Sequence, residues 1–246
     1  MPAKLQAMNP SDLCIATMTL VRDEEEDQLL RASLEALARF GLPVHITDGG
    51  SPAPFLDFLK SFPRFTLTNG AANGLFAQVK HSLSAAYGSG TPFILYTEPD
   101  KILFFQNGLS AFIEQASVSE ETGILLASRS AAGFHSYPLF QQMTETTINN
   151  CCTELTGRPL DYTYGPFLFN RRLVTHLGEV QEDLGWGWRP YVFGMAHHLG
   201  LTLEEFSGDF LCPPAQQQDS PKERIYRMRQ LEQNIRGTVL AAGMKG

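Results

Sequence analysis

Short apolar runs alternate with amphipathic segments along the first hundred residues of the chain. Apolar runs bounded by polar turn residues are typical of strands that are buried on both faces of a parallel sheet. Such runs predict strands at residues 13–18, 44–47, 65–68 and 93–97. Because amphipathic segments separate these runs, the alternation predicts an α/β fold with a mainly parallel sheet flanked by helices.

Three amphipathic segments in this part of the chain predict helices. The first begins after Asp23, a suitable N-cap, and has acidic residues in its first turn, where the helix dipole favours negative charge. Its leucines recur at helical spacing, and Gly41 is expected to end it. The second helix is predicted around residues 55–59, and the third at residues 75–88.

The second half of the chain has a less regular pattern. Further strands are predicted at residues 123–127, 166–169 and 201–206. Further helices are predicted at residues 109–116, 139–155, 188–199 and 222–242, with a short one opening at Arg171. Residues 213–221 are rich in Pro and Gln, which predicts a loop before the last helix.

Size and composition predict a globular protein. The chain has 246 residues, of which 43% are hydrophobic and 18% charged, so it can bury a sizeable core. These numbers suit one α/β domain with additions, or two small domains that share a core. The net charge is −7 and there is no Lys/Arg-rich run, so nonspecific binding to nucleic acid or to an anionic membrane is not expected.

The cysteines and the first residues bear on the compartment. The four cysteines form no C-x-x-C pair, and the adjacent Cys151 and Cys152 are poorly placed for a shared disulfide or a tetrahedral metal site. Residues 1–12 lack the basic and apolar regions of a signal peptide, and no apolar run is long enough to span a bilayer. These features favour free thiols in a reducing cytoplasm.

Polar residues follow three of the predicted strands, at residues 17–22, 48–51 and 98–101. Ligands of open parallel sheets bind outside the carboxyl ends of the strands, so these segments are candidates for one site. In the third segment, Glu98 and Asp100 point the same way if the backbone is extended, and Pro99 is expected to end the strand. Two adjacent carboxylates favour a hard cation.

Extended residues two apart are separated by roughly 6.6 Å along a strand, so both carboxylates cannot bind one ion unless the turn tightens. We therefore expect Asp100 to bind the metal and Glu98 to hold a ribose hydroxyl or a metal-bound water. The alternative is an exposed Pro-containing turn in which Lys101 is a salt-bridge partner. Asp48, before Gly49-Gly50, is similarly either a ligand for a base or ribose or part of an ordinary Asp-Gly turn.

Taken in order, these segments resemble the GT-A glycosyltransferases, especially the large inverting family with Asp-Asp-Gly-Ser and Asp-x-Asp motifs. Residues 46–51 resemble the first motif, with Gly49 in place of its second Asp, and residues 93–100 resemble the strand of the second, with Glu98 in place of its first Asp. The resemblance covers residues 13–210. Three further segments contribute to it: Asn73-Gly74 with the helix that follows, residues 165–172, and Glu182-Asp183 with residues 186–189.

The resemblance implies a sugar transfer from a nucleotide-sugar donor to a hydroxyl acceptor. Mn²⁺ or Mg²⁺ on Asp100 would neutralise the charge of the leaving diphosphate. Asp183, or Glu182, would take the acceptor proton, although this pair could instead cap a helix. Relatives that glycosylate glycerate and other small acids retain the anomeric configuration, so the stereochemistry stays open. The implied donor-binding residues are Thr17, Asp48, Asn73, Gly74, Gln78, Glu98 and Asp100.

Acceptor-side residues and further metal ligands also follow from the resemblance. Trp186 and Trp188 are candidates for an acceptor platform, and the alternative for both is the core. Arg171 and Arg189 are candidates for binding a diphosphate or an acceptor carboxylate, and each is also an ordinary surface residue. The other implied metal ligands are Glu98, His198 and Asp209; His197 and His198 point about 100° apart on a helix, so both cannot bind one ion.

The same resemblance implies a division of the chain and leaves two other functions open. Residues 1–12 would be an extension, 13–105 the nucleotide-sugar half, 106–212 the acceptor half of the same domain, and 213–246 a loop and helix. The role of this helix is open between packing, contact in a homodimer and a lid over the site. A sugar-phosphate nucleotidyltransferase is disfavoured, because residues 19–26 are acidic and lack the glycines of its phosphate loop. A catalytically inactive GT-A-like binding protein is the third possibility, because Glu98 replaces the first acid of the metal motif.

Overall fold

The computed structural model describes residues 5–68 and 74–244 of the chain. The strands in this part are β1 (Gln6–Ala7), β2 (Leu13–Thr19), β3 (Val44–Asp48), β4 (Phe65–Thr68), β5 (Phe93–Tyr96), β6 (Ser117–Val118), β7 (Thr122–Arg129), β8 (Phe167–Asn170) and β9 (Thr202–Gly208). The helices are α1 (Glu24–Ala38), α2 (Ala53–Lys60), α3 (Leu75–Gly88), α4 (Ile102–Asn107), α5 (Leu109–Gln115), α6 (Ala131–His135), α7 (Leu139–Thr156), α8 (Leu173–Glu179), α9 (Trp188–His198) and α10 (Pro221–Ala242).

Seven of the strands form one sheet in the order β4-β3-β2-β5-β8-β7-β9. Strand β8 is antiparallel to both of its neighbours, and the other strands run parallel to one another. Strands β1 and β6 form a separate antiparallel pair. The carboxyl ends of β2, β3, β5, β7 and β9 therefore share one edge of the sheet, whereas β8 ends at the opposite edge.

Helices cover both faces of the sheet. Cys14 and Ala16 of β2 belong to the core beneath α3, α7, α8 and α9, whereas Leu13 and Ile15 belong to the core beneath α1, α2, α4 and α5. Strands that are buried on both faces need near-continuous apolar sequence, which is the pattern of the first half of the chain. The predicted mainly parallel sheet flanked by helices is confirmed.

Helix α4 is an element that the periodicity does not predict. Its sequence is apolar on several sides, and Phe104 packs edge-to-face against Phe112, Tyr164 and Phe210. Because Tyr164 and Phe210 are distant from α4 in the sequence, this helix depends on tertiary packing that the local pattern does not show. No helix within residues 5–68 and 74–244 is both long enough and apolar enough to cross a membrane.

Helix α10 packs very closely on the turn at Gly185–Gly187, which precedes α9. A Cβ atom on Gly237 would lie 1.9 Å from the carbonyl oxygen of Gly187, and a Cβ atom on Gly187 would lie 2.1 Å from that of Gln233. Glycine is required at both positions because backbone meets backbone there.

We expect Gly237→Ala to lower the free energy of unfolding by about 1–3 kcal/mol, because the helix must move off the turn. Gly243→Ala, at the C-cap of the same helix, is the control, since its Cβ would lie at an ordinary 3.5 Å from the carbonyl oxygen of Leu240. Urea unfolding of both variants measures the difference. Equal stability of the two variants would contradict the close packing of α10.

Candidate functional site

A polar cavity of about 570 Å³ lies at the carboxyl edge of the parallel strands. Glu98 and Asp100 enter it from the turn after β5, Arg129 from the end of β7, and Arg189 from α9. Helix α10 and the loop before it form the wall opposite the sheet. The cavity therefore gathers side chains from both halves of the chain around the predicted Glu98-Pro99-Asp100 segment.

Glu98 is held by an ion pair at the base of this cavity. Its side chain is largely buried, and Oε1 lies 3.2 Å from Nη1 of Arg189. The Nη2 of Arg189 also donates to the main-chain carbonyl of Tyr162 at 3.0 Å. Oε2 of Glu98 is buried and has no hydrogen-bond partner among the described residues. An unpaired buried carboxylate oxygen is costly, so this atom is available to accept a hydrogen bond from a ligand.

Gly165 makes room for the Glu98 carboxylate. A Cβ atom at this position would lie 2.1 Å from Oε2, and the backbone of Gly165 has a φ of +129°. A side chain would therefore displace the carboxylate and strain the backbone together. The glycine of the predicted 165–172 segment thus shapes the site through Glu98.

Asp100 is half-buried at the same cavity. Its Oδ2 accepts a hydrogen bond of 3.1 Å from the side-chain amide of Gln216, which belongs to the loop before α10. Lys101 makes no ion pair among the described residues, and its ammonium group lies 4.9 Å from the centre of the Tyr164 ring. The alternative in which Lys101 is the salt-bridge partner of this turn is therefore not found.

A buried ionic network that sequence reasoning missed forms another wall of the cavity. Arg129 is only 1% exposed at its side chain, and its Nε and Nη2 donate to the two oxygens of Asp161 at 2.7 and 2.9 Å. Its Nη1 lies 2.8 Å from Oε2 of Glu145, at ion-pair distance without hydrogen-bond alignment. No motif marks these three residues, because they meet only through the fold.

The network shifts the titration of Asp161. Burial by itself would raise the pKa of this carboxyl, but the charge and hydrogen bonds of Arg129 outweigh it, so the pKa is lowered well below its ordinary value. Asp161 therefore stays ionised as long as Arg129 is present.

Asp48 forms the turn between β3 and α2. Its Oδ1 accepts from the main-chain N–H groups of Gly50 and Ser51 at 2.8 and 2.7 Å, and its Oδ2 accepts from the hydroxyls of Thr19 and Ser51 at 2.8 and 2.6 Å. The carboxylate thus joins the ends of β2 and β3. This is the Asp-Gly turn that the sequence left open as the alternative to a ligand.

Thr17 is one of the predicted donor-binding residues that the structure corrects. It lies inside the sheet with no exposed surface, so its side chain does not reach the cavity. The residue at the strand end is Thr19, two positions later, whose hydroxyl goes to Asp48.

Asp183, the predicted catalytic base, lies beside the start of α3. A Cβ atom on Gly74 would be 3.4 Å from Oδ2 of Asp183, so these two predicted residues are neighbours. Asp183 is exposed, and its Oδ1 accepts from the N–H of Gly185 at 3.0 Å. Gln78 packs its amide against Gly49, near the same edge. Asn73, the other predicted donor residue here, lies outside the described residues.

The two tryptophans have different environments. Trp186 borders the cavity, and its indole N–H donates to the hydroxyl of Tyr226 at 3.1 Å. Trp188 has no exposed surface and packs edge-to-face against Tyr96 at 4.6 Å between ring centres. The prediction of an acceptor platform is therefore wrong for Trp188, which is a core residue.

Two predicted residues lie at the opposite edge of the sheet. Arg171 follows β8, and because β8 is antiparallel, its end lies at the amino edge of the parallel strands. Its guanidinium binds the carbonyl oxygens of Tyr87 and Gly90 at the end of α3, at 3.2 and 2.9 Å. His198 ends α9, which leads into the start of β9, so it too lies at that far edge and is exposed. The acceptor role of Arg171 and the metal role of His198 are corrected for this reason.

Asp209 and Glu182 lie outside the cavity. Asp209 follows β9 and accepts a hydrogen bond from the hydroxyl of Ser130. Glu182 is exposed beside the carboxyl end of α10, next to Val239 and Leu240. Neither carboxylate borders the cavity that holds Asp100, and the exposed Asp183 does not border it either.

The described residues contain no group of three or more His, Cys, Asp or Glu side chains placed to hold a metal ion. The carboxylate of Asp100 borders the cavity and accepts a hydrogen bond from the amide nitrogen of Gln216. A single carboxylate suits a cation that takes its remaining ligands from phosphate and water.

Comparison with known proteins places the fold. No protein-family model matches the chain, and no curated protein matches its sequence. Among solved structures, glucosyl-3-phosphoglycerate synthase from Mycobacterium tuberculosis in complex with phosphoglyceric acid has a TM-score of 0.61 at 11% identity, covering 95% of this chain and 81% of that chain. The chain has a GT-A-type fold.

Two further structures of that synthase give the same result. The enzyme in complex with Mn²⁺, UDP-glucose and phosphoglyceric acid has a TM-score of 0.61 at 11% identity, and covers 95% and 81% of the two chains. A third structure, solved without a named ligand, has a TM-score of 0.61 at 12% identity, and covers 95% and 82%. At this identity the likeness establishes the GT-A-type fold alone.

Proposed function

We propose that the protein is a glycosyltransferase that moves a sugar from a nucleotide-sugar donor to a hydroxyl acceptor. The observation that carries the proposal is the position of Asp100 and the Arg189-bound Glu98. They lie at the carboxyl end of the central strand β5, facing a polar cavity in a GT-A-type fold. Membership of the inverting family with the Asp-Asp-Gly-Ser motif stays part of this proposal.

A divalent metal fits the chemistry of this cavity. The half-buried Asp100 carboxylate supplies hard oxygen donors, which Mg²⁺ and Mn²⁺ prefer. Magnesium is commonly held by one or two carboxylates together with substrate phosphates, so a larger cluster of protein ligands is not required. When bound, the metal would supply neutralisation of the charge that develops on the leaving diphosphate.

Glu98 serves the donor in this proposal. Arg189 fixes one oxygen of the carboxylate, and Gly165 leaves space for the other, whose hydrogen-bond capacity is unused among the described residues. A ribose hydroxyl of the donor supplies the missing hydrogen bond. Glu98 is therefore an indirect partner of the metal, which we assign to Asp100.

The cavity also favours an acidic acceptor. Lys101, Lys222 and Arg227 border it, and none of them makes an ion pair among the described residues. Unpaired cations in a cavity that also contains carboxylates attract a second anion besides the donor diphosphate. We propose an acceptor that carries a carboxylate or phosphate group, with Trp186 at its side. The neighbouring synthase, whose structures contain phosphoglyceric acid, has the same fold.

Donor binding tests the function. We expect the purified protein, with Mn²⁺ or Mg²⁺, to hydrolyse one nucleotide sugar slowly in a panel of UDP-, GDP- and ADP-sugars, because water can replace the acceptor. The same donor should raise the melting temperature in a metal-dependent way. If no member of the panel is hydrolysed or shifts the melting temperature, the donor-binding proposal fails.

The role of Asp183 as the base is tested by Asp183→Asn. Asparagine still accepts the hydrogen bond from Gly185 but is not basic, so turnover should fall by about 100-fold or more while the donor dissociation constant changes little. Steady-state kinetics and calorimetry with the best donor measure the two quantities. Glu182→Gln is the matched control, because that carboxylate is exposed beside α10. Equal losses of turnover and affinity would show that Asp183 is a structural cap.

Compartment and assembly belong to the same proposal. The four cysteines are free, as a reducing compartment would keep them, and we propose that the protein works in the cytoplasm. We also propose a homodimer.

A further inference from the structure

Tyr226 of α10 borders the cavity that holds Glu98 and Asp100. Two side chains donate a hydrogen bond to its hydroxyl oxygen: the indole N–H of Trp186 at 3.1 Å and the side-chain amide of Gln230 at 3.2 Å. Two accepted hydrogen bonds occupy both lone pairs of this oxygen. The hydrogen of the hydroxyl is therefore the part of the group that is left to bind.

The direction of these two hydrogen bonds is fixed by the chemistry of the partners. An indole N–H can only donate. The amide of Gln230 is oriented by Arg227, whose Nη1 donates to the amide oxygen at 3.0 Å, so the amide nitrogen is the atom turned to Tyr226. No residue in the described ranges 5–68 and 74–244 accepts a hydrogen bond from the Tyr226 hydroxyl. Its hydrogen is available to a ligand in the cavity.

The surroundings keep the Tyr226 hydroxyl protonated. Desolvation by the protein raises its pKa above the ordinary value of 10.0, although the bond from Trp186 and the charge of Arg227 oppose this rise. The negative charges of Asp100 and Glu98 raise the pKa further. The residue as a whole is 42% exposed, and its ring also borders an outer groove between the starts of α1 and α10. At neutral pH the hydroxyl is therefore a hydrogen-bond donor and not a base.

We propose that the Tyr226 hydroxyl donates its hydrogen to the leaving diphosphate of the nucleotide sugar, at the oxygen that links phosphate to sugar. This inference rests on the proposed glycosyltransferase function. Two contacts place the hydroxyl there. It is bonded to Trp186, which we assign to the side of the acceptor. The loop that leads into α10 binds Asp100, the proposed metal ligand, through Gln216, so the start of this helix lies beside the expected diphosphate. The linking oxygen lies between the diphosphate and the acceptor.

The hydrogen bond from Tyr226 should strengthen as the sugar leaves. The bond between the anomeric carbon and the linking oxygen breaks, and its electron pair stays on that oxygen, which gains negative charge. The acceptor oxygen forms the new bond to the anomeric carbon and passes its proton to the base. A hydrogen bond to a charged oxygen is roughly twice as strong as one to a neutral oxygen. Tyr226 should therefore stabilise the transition state and the diphosphate product more than the intact donor.

Calorimetry of the full chain with Mn²⁺ tests this contact. The probes are the diphosphates of uridine, guanosine and adenosine, each compared with the monophosphate of the same nucleoside. Tyr226→Phe removes only the hydroxyl, so we expect it to weaken the bound diphosphate by about tenfold and the monophosphate by less than about twofold. Tyr191→Phe is the matched control, because Tyr191 borders a different pocket beside Glu179 and Val239. The melting temperature without ligand checks the fold of both variants.

Turnover of the nucleotide sugar gives a second measurement. With Tyr226→Phe we expect kcat to fall by about tenfold or more, while the dissociation constant of the intact nucleotide sugar changes by less than about threefold. Unchanged diphosphate affinity and kcat would overturn the role of Tyr226 and leave the proposed function standing. An equal loss for diphosphate and monophosphate would also overturn it, since the hydroxyl would then serve another part of the nucleotide or the fold. A wild type that binds none of the diphosphates would overturn both.

Discussion

Replacing Arg129 by glutamine is expected to lower the free energy of unfolding by about 3–5 kcal/mol, the largest stability effect that we predict. The substitution removes the cation and leaves the carboxylates of Asp161 and Glu145 buried without a counter-charge. Glutamine cannot replace the paired bonds that Nε and Nη2 make to Asp161. Arg64→Gln is the matched control, because Arg64 is exposed and in no ion pair among the described residues.

The difference in the free energy of unfolding between the wild type and Arg129→Gln should decrease as the pH falls. The pKa of Asp161 is lowered in the folded state, so its stabilising contribution is complete above the ordinary value of 3.8 and is lost as the pH falls towards the folded-state pKa. In the variant the buried carboxylate lacks its partner and gains from protonation. The stability gap should therefore narrow as the pH falls below about 4. Urea unfolding of both proteins across this pH range measures the stability difference. A difference that grows in acid would contradict the stabilising ion pairs of Arg129 with Asp161 and Glu145.

Asp100→Asn is expected to leave the fold intact and to remove metal-dependent donor binding. Asparagine retains an oxygen that accepts the hydrogen bond from Gln216, so the turn after β5 should persist. The charge that attracts the cation is lost, and we expect donor affinity in the presence of Mn²⁺, and turnover, to fall on the order of 100-fold or more. Chelation of the metal should have the same effect on the wild type.

Calorimetry with the donor identified in the panel measures this loss, and the melting temperature without ligand checks the fold. Asp209→Asn is the matched control, since this carboxylate follows β9 at the same edge of the sheet but binds Ser130 outside the cavity. Unchanged binding by the Asp100 variant would place the metal elsewhere. A loss with Asp209→Asn equal to that of Asp100→Asn would mean that both carboxylates serve the site.

The candidate site was predictable where its residues follow strands. Glu98 and Asp100 stand at the end of an apolar run that can only be a buried strand, so their place at the carboxyl edge followed from local pattern. Arg189 was predicted to bind a diphosphate or an acceptor carboxylate, and its bond to Glu98, which spans 91 positions, has no sequence signal. Arg129, Glu145 and Asp161 were missed for the same reason.

The errors at Arg171 and His198 have a common physical origin. A sequence pattern predicts that a segment is a strand or helix but carries little information on its direction within the sheet. Strand β8 is antiparallel, so Arg171, which follows it, lies at the amino edge of the parallel strands. Helix α9 leads back to the start of β9, so His198 at its end lies at the same edge. Trp188 illustrates a different limit, since an aromatic residue at a helix start suits a binding platform and a core equally well.

The sequence by itself determined the α/β alternation, the buried strands and the acidic turn after β5, because these depend on residues that are close in the chain. The tertiary structure alone decided the ion pair between Glu98 and Arg189, the buried network around Arg129 and the packing of Gly237 on Gly187. Each of these is a contact between segments far apart in sequence. Its energy depends on burial and geometry, which exist only once the sheet, α9 and α10 have packed together.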